Sequence, residues 1–353
     1  MQTKKPGHSK WNYVFIAATA AVMIWLLSQM NDPEQVWRTL RAADIRFMLA
    51  SLGCMLAFWW LEGVLLRQVA GSFGRRITRL SSLRVSMIGQ LFNNLTPFAS
   101  GGQPVQAYEL ARYGVSYGES SCILMVKFII YQMAMTLYAL AVTIWKYGFF
   151  SARITGFGLF VFIGFLTNVV ALSLILAVGF FPKATRRCLR AIVHLGVRVH
   201  LLRDEERACA RVDSELDMFY TNFQIMRSKP RIIIAPLIVT LLQLTCYFSI
   251  PYLLFRALGI DYVDFSQAFC ATLFVFMVTS FVPAPGASGG AEGSFYWFLS
   301  IFITNGDLLL MTTVLWRIFT FYLPIAVGAG FYFTRKRGIP GGDTSHSECV
   351  KGD

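Results

Sequence analysis

Apolar residues fall along this chain in long runs, and the charged residues collect between them. Runs at about 13–30, 46–66, 120–145, 154–181, 232–255 and 308–333 carry very little charge. Each has about the 20 residues that a helix rising 1.5 Å per residue needs to cross a ~30 Å hydrocarbon layer. Two further apolar regions, roughly 83–108 and 265–303, are broken by Pro and Gly. The pattern predicts an all-α integral membrane protein, a polytopic helical bundle. The first run follows Lys4, Lys5 and Lys10 and ends Leu27-Ser28-Gln29-Met30. With no small-x-small cleavage site it reads as an uncleaved first span. After it, Val36, Trp37, Leu40 and Ile45 alternate with Arg38, Arg41 and acids, which predicts a short interfacial helix.

The two broken regions resemble each other. One reads Thr96-Pro97-Phe98-Ala99-Ser100-Gly101-Gly102-Gln103, the other Ala284-Pro285-Gly286-Ala287-Ser288-Gly289-Gly290-Ala291. Pro97 and Pro285 stand 188 positions apart, and the same offset pairs Tyr108 with Tyr296 without a gap. It also carries 46–66 onto 234–254 and 120–145 onto 308–333. Paired apolar segments interrupted by Gly and Pro in two halves are a pointer to a transporter binding site.

Charge then sets the topology. The net charge is +13, from 32 Lys and Arg against 19 Asp and Glu. Residues 67–84 hold Arg67, Arg75, Arg76, Arg79 and Arg84 and no acid, while 183–231 hold eleven Lys/Arg and six Asp/Glu. By the positive-inside rule both lie in the cytoplasm, as do the N-terminus and the C-terminal Arg335-Lys336-Arg337. Matched spans then run in opposite directions. This predicts one membrane domain over 1–353, with two inverted repeats at about 46–145 and 234–333. Each repeat has a Pro/Gly-interrupted re-entrant segment. A basic cytoplasmic loop covers 183–231 and a cytoplasmic tail 334–353. Leu216, Phe219, Tyr220, Phe223 and Met226 recur at helical spacing, as a helix on the membrane surface or one packed on the bundle. The basic excess fits contact with anionic membrane lipids rather than nucleic acid.

Broken backbone at membrane depth survives only against protein or a wet cavity. A helix restarting after Gly101-Gly102 or Gly289-Gly290 would aim free N–H groups at an anion such as phosphate, or the motif merely shapes a tight turn. Asn93, Asn94, Thr96, Ser100 and Gln103 line the first copy. Four ionisable residues, Glu62, Lys127, Glu292 and Arg317, lie within apolar runs. Each costs roughly 2.5–3.5 kcal/mol at mid-helix, and such charges are functional candidates by default, with Glu62, near the cytoplasmic end, read instead as structural. Lys127 lies about 10 Å and Arg317 about 13 Å into their spans at 1.5 Å per residue. Glu292 is expected to pair with Arg317, with Lys127 or Arg317 also meeting an anionic headgroup. Glu62 is expected to pair with Arg67. The candidate substrate-binding set is Asn93, Thr96, Pro97, Ser100, Gly101, Gly102, Gln103, Lys127, Pro285, Ser288, Gly289, Gly290, Glu292 and Arg317. Seven Cys form no CxxC and four His are scattered, so no metal is expected. No P-loop occurs, and no HExxH or paired-carboxylate constellation stands out, so no cofactor or catalytic residue is expected.

These residues resemble the lysylphosphatidylglycerol synthase transmembrane-region family, the membrane part of the bacterial multiple peptide resistance factor. The resemblance rests on Leu95 through Pro104 with Tyr108, Leu110 and Gly114, on Lys127 through Gln132, on Pro283 through Glu292, and on Arg317 with Phe321 through Pro324. It implies a bacterial cytoplasmic-membrane flippase or scramblase for anionic or aminoacylated phosphatidylglycerol, linked to resistance against cationic antimicrobial peptides. Multidomain members add a soluble synthase that transfers lysine from lysyl-tRNA to phosphatidylglycerol. No such domain is legible in these residues. A lysyltransferase, alone or with a separate synthase partner, is therefore an alternative. A transporter of polyprenyl-phosphate-linked or small anionic substrates is another.

Overall fold

A computed structural model describes residues 33–154, 156–198, 205–228, 231–279, 282 and 284–334. The first apolar run and the tail after Thr334 lie outside the described residues. The described residues form helices joined by short turns, with no strand. In order these are α1 (Pro33–Ala42), α2 (Ile45–Ser72), α3 (Arg79–Leu95), α4 (Gly102–Ala111), α5 (Tyr117–Ser151), α6 (Phe157–Phe180), α7 (Pro182–Arg198) and α8 (Glu205–Ser228). Then come α9 (Arg231–Ala257), α10 (Phe265–Thr279), α11 (Gly290–Leu299), α12 (Gly306–Arg317) and α13 (Leu323–Phe333).

Local chemistry sets the helix starts. Asp44 accepts from the Arg46 N–H at 2.8 Å ahead of α2, and Thr78 accepts from the Ser81 N–H at 3.2 Å ahead of α3. Ser116 and Glu119 form a reciprocal capping box at α5. Asn305 accepts from the Leu308 N–H at 3.0 Å at α12. Each side chain satisfies an N–H that has no partner inside its helix. Four helical stretches are long and apolar enough to cross a membrane: Ile45–Ser72, Tyr117–Ser151, Ile233–Ala257 and Gly306–Phe333. The chain is thus a multi-pass helical membrane protein. The last stretch is α12 and α13 joined by a wide turn over Ile318–Tyr322, where the Leu323 N–H reaches back to the Ile318 carbonyl. Pro324 explains the turn: it has no N–H for the carbonyl four residues before it, and its ring crowds that carbonyl.

α2 packs along α9, and α3 lies between α2 and α13. Small residues set the close approaches, as in other membrane bundles. A Cβ on Gly63 would stand 3.1 Å from the Leu83 backbone, and one on Gly328 would stand 2.7 Å from the Met87 carbonyl oxygen. The larger core gathers Phe150, Phe157, Phe248, Phe274, Phe295 and Phe298 with Met55 and Leu254. A second core, with Leu65, Leu66, Val69, Leu110, Ile123 and Ile130, sits among α2, α4 and α5.

The elements recur at the sequence offset. α2 is followed by α3, a turn, α4 and α5, while α9 is followed by α10, a turn, α11 and α12–α13. α4 at 102–111 falls onto α11 at 290–299 under the shift of 188. α1 is the expected short helix, with Arg41 over the exposed Trp37 ring at 5.0 Å. α7 and α8 are pinned by Arg190 to Asp213 at 2.6 Å, by Arg186 to Asp217, and by His194 to Glu205 at 3.1 Å. α8 lies on α5 with Leu216 buried and Tyr220 against the second core. The described helix packs on the bundle.

Candidate functional site

Both Pro/Gly motifs fold into the same short turn. The chain is extended at Thr96 (φ −120°) and Ala284 (φ −108°), and each turn starts on its Pro. The next residue then enters the left-handed region, Phe98 at φ 54° and Gly286 at φ 58°, followed by Ala99 at 51° and Ala287 at 54°. That region costs a non-Gly residue roughly 1–2 kcal/mol. The two turns touch each other, and the second also touches α3.

The helices that restart after the turns are capped from within. In the first copy the Gly101 N–H donates to Thr96 Oγ1 at 2.8 Å and the Gly102 N–H to Asn93 Oδ1 at 3.0 Å. In the second the Gly289 N–H donates to Glu292 Oε2 at 2.7 Å. These N–H groups therefore do not point free into a cavity, as the glycine pairs alone suggest. Short polar side chains reach their own backbone more readily than a distant ligand does. Ser100 and Ser288 likewise donate to the Pro97 and Pro285 carbonyls, each at 2.9 Å. Gly102 is required by proximity, because a Cβ there would overlap Asn93. Pro97, Ser100 and Gln103 are exposed, Pro285 is buried, and Gly289 is exposed at the head of α11.

The expected pair of Glu292 and Arg317 is present. Arg317 Nε donates to Glu292 Oε1 at 2.7 Å, and Nη2 donates to the Gly286 carbonyl at 3.1 Å. The side chains are only 5% and 8% exposed, so the charges are removed from water and compensated by each other and by backbone. The guanidinium lies 5.2 Å from the Trp316 and Phe321 ring centres, and Trp316 stacks on Phe295 at 4.1 Å. The pair thus ties α11, α12 and the second turn into one unit.

Lys127 is engaged differently. It pairs with Glu62 of α2, and Gln243 Nε2 of α9 donates to Glu62 Oε2 at 2.7 Å. Gln106 of α4 stands 3.5 Å from Lys127 Nζ. The expected Glu62–Arg67 pair does not form. A spacing of five residues puts Arg67 on another face of α2, where it is exposed. Glu62, Gln106 and Gln243 thus join the candidate set. Their signal was available in sequence, as polar residues among apolar neighbours. Their gathering around Lys127 was not, since it joins four helices distant in sequence.

Long apolar helices, two broken segments that touch, and buried ion pairs define a polytopic membrane protein. The chain belongs to the lysylphosphatidylglycerol synthase transmembrane-region family, whose model matches residues 13–328. Among its relatives is a UPF0104 membrane protein of Archaeoglobus fulgidus, 26% identical over 317 residues, or 90% of this chain and 93% of the relative. Another UPF0104 membrane protein, from Methanothermobacter thermautotrophicus, is 24% identical over 332 residues, covering 89% and 91%.

Proposed function

We propose that this protein translocates a phospholipid across the cell membrane, moving the headgroup along polar groups inside the bundle while the acyl chains stay in lipid. The observation that carries the reading is the Glu292–Arg317 pair, fixed to the second Pro/Gly turn and, through that turn, in contact with the first. A guanidinium is suited to a phosphate, which it can meet with paired donors. Glu292 holds that cation while no headgroup is present. The family resemblance supports anionic or aminoacylated phosphatidylglycerol as the substrate. Export of the aminoacylated form would lower the negative charge of the outer leaflet and so the binding of cationic peptides. The element order repeated at the 188 offset supports two related halves, and the basic loops support their insertion in opposite senses with both termini in the cytoplasm.

The test is transfer of fluorescent phosphatidylglycerol and lysyl-phosphatidylglycerol between leaflets of proteoliposomes. Headgroup-dependent transfer is expected in wild type and is expected to be lost in Arg317→Ala and Glu292→Gln. Wild-type rates in both folded variants would refute the reading. Transfer of neither lipid by wild type would turn the search to polyprenyl-phosphate carriers.

A further inference from the structure

The Glu62–Lys127 cluster uses other side chains than the Glu292–Arg317 pair and draws on α2, α4, α5 and α9. No helix needs it in order to form. Buried ion pairs are often matched or bettered in stability by apolar side chains of similar volume. A pair kept only for packing should also leave no polar atom unmet. Here Gln243 is 3% exposed, its Nε2 is taken by Glu62, and its Oε1 is buried with no hydrogen-bond partner among the described residues. The cluster is also the more open of the two. The Lys127 and Glu62 side chains are 12% and 17% exposed, more than twice the exposure of Arg317 and Glu292. An ammonium carries three donors. Glu62 takes one, and Gln106 Oε1, at 3.5 Å, makes only a long contact with another. Gln106 is held in place, because a Cβ on Gly89 would overlap its amide.

We propose that Glu62 is a latch on an anion site: its carboxylate occupies the place on Lys127 that a phosphate group takes when bound. The inference rests on the lipid-handling reading and adds the ligand chemistry. The ligand is a phosphate ester bearing a neighbouring O–H or N–H donor. Its phosphate accepts from Lys127, and the neighbouring donor is received by Gln243 Oε1. The displaced carboxylate stays on Gln243 Nε2. One anion replaces another on Lys127, so the cation is not left unpaired in the membrane at either stage. A lipid headgroup and a free phosphate compound share this chemistry.

The experiment is titration of the full chain in phosphate-free maltoside micelles with dihexanoyl-phosphatidylglycerol, dihexanoylglycerol and inorganic phosphate, followed by calorimetry. Glu62→Gln removes the competitor and is expected to tighten phosphatidylglycerol binding about tenfold or more. Lys127→Gln is expected to weaken it by at least as much, and dihexanoylglycerol should show neither change. The same pattern with inorganic phosphate assigns a free anion as the ligand, and its absence there assigns the lipid headgroup. If Glu62→Gln does not fold with Lys127 unpaired, Glu62→Asp loosens the latch with its charge kept, and a smaller tightening is expected. Equal affinities in wild type and the Glu62 variant, or full binding in Lys127→Gln, overturn the proposal. The outcome is separable from the translocation test. A failed latch leaves loss of transfer in Arg317→Ala standing. A latch in a protein that moves no lipid overturns translocation alone.

Discussion

Gly286→Ala is the sharpest test of how the second turn is built. Gly286 sits at φ 58°, and a Cβ there would run into the buried ring of Phe321. The left-handed backbone costs an alanine about 1–2 kcal/mol. Overpacking against a ring that cannot move away adds about 1–3 kcal/mol. The expected loss is therefore about 2–5 kcal/mol, and the Gly286 carbonyl that receives Arg317 should shift with it. Gly293 supplies the control. It lies inside α11, and a Cβ there meets nothing within 4 Å. Gly293→Ala should be neutral or gain up to about 1 kcal/mol from helix propensity. The assay is reversible unfolding of the purified protein in mixed dodecyl sulfate and maltoside micelles, read by tryptophan fluorescence. Gly286→Ala within about 0.5 kcal/mol of wild type, the scatter of an ordinary surface change, would refute the reasoning.

In the same assay Arg317→Met should cost about 3–5 kcal/mol by leaving Glu292 buried and alone, and the double variant with Glu292→Gln should recover much of it; a double variant worse than Arg317→Met would argue against the pair. Cys54 of α2 and Cys246 of α9 neighbour one another where the two helices pack. Copper phenanthroline should join them in a disulfide detectable by mass spectrometry and absent in Cys54→Ser. The Asp213 carboxyl is held below its ordinary value of 3.8 by the hydrogen bond from Arg190. A lowered carboxylate value contributes stability in full above the unfolded value and loses it as pH falls through the folded one. Protection of the α7 amides, measured against their intrinsic exchange at each pH, should therefore fall below about pH 3.8 in wild type but not in Asp213→Asn, which would already be poorly protected at neutral pH.

What could be read in the sequence was whatever repeats or runs along the chain. Run length placed α2, α5, α9 and the last span, and the 188 offset located the broken segments. The Glu292–Arg317 pair was legible because two costly charges stood in apolar surroundings near a motif. Glu62 was misassigned because the nearest cation in sequence, Arg67, is not the nearest in space. Helix phase, not distance along the chain, decides that contact. The free N–H groups expected of the glycine pairs were missed for a similar reason. Asn93 and Thr96 were read as cavity lining, yet their reach is short enough to close on the next turn of backbone. The wide turn over Ile318–Tyr322 left only Pro324 as a trace, inside a run that otherwise reads as one helix.

The paired turns share a chain path but not a surface. Phe98 is 63% exposed, whereas Gly286, at the matching step, is pressed on Phe321 and has no side chain to offer. The copies therefore cannot be exchanged. A phenyl group in place of Gly286 would claim volume already filled by Phe321, and a glycine in place of Phe98 would strip an aromatic tip from the outside. The two turns are similar over the Pro-led step and differ in the side chain that follows it. The two turns, which touch, thus form a pair that a single side chain makes unsymmetrical.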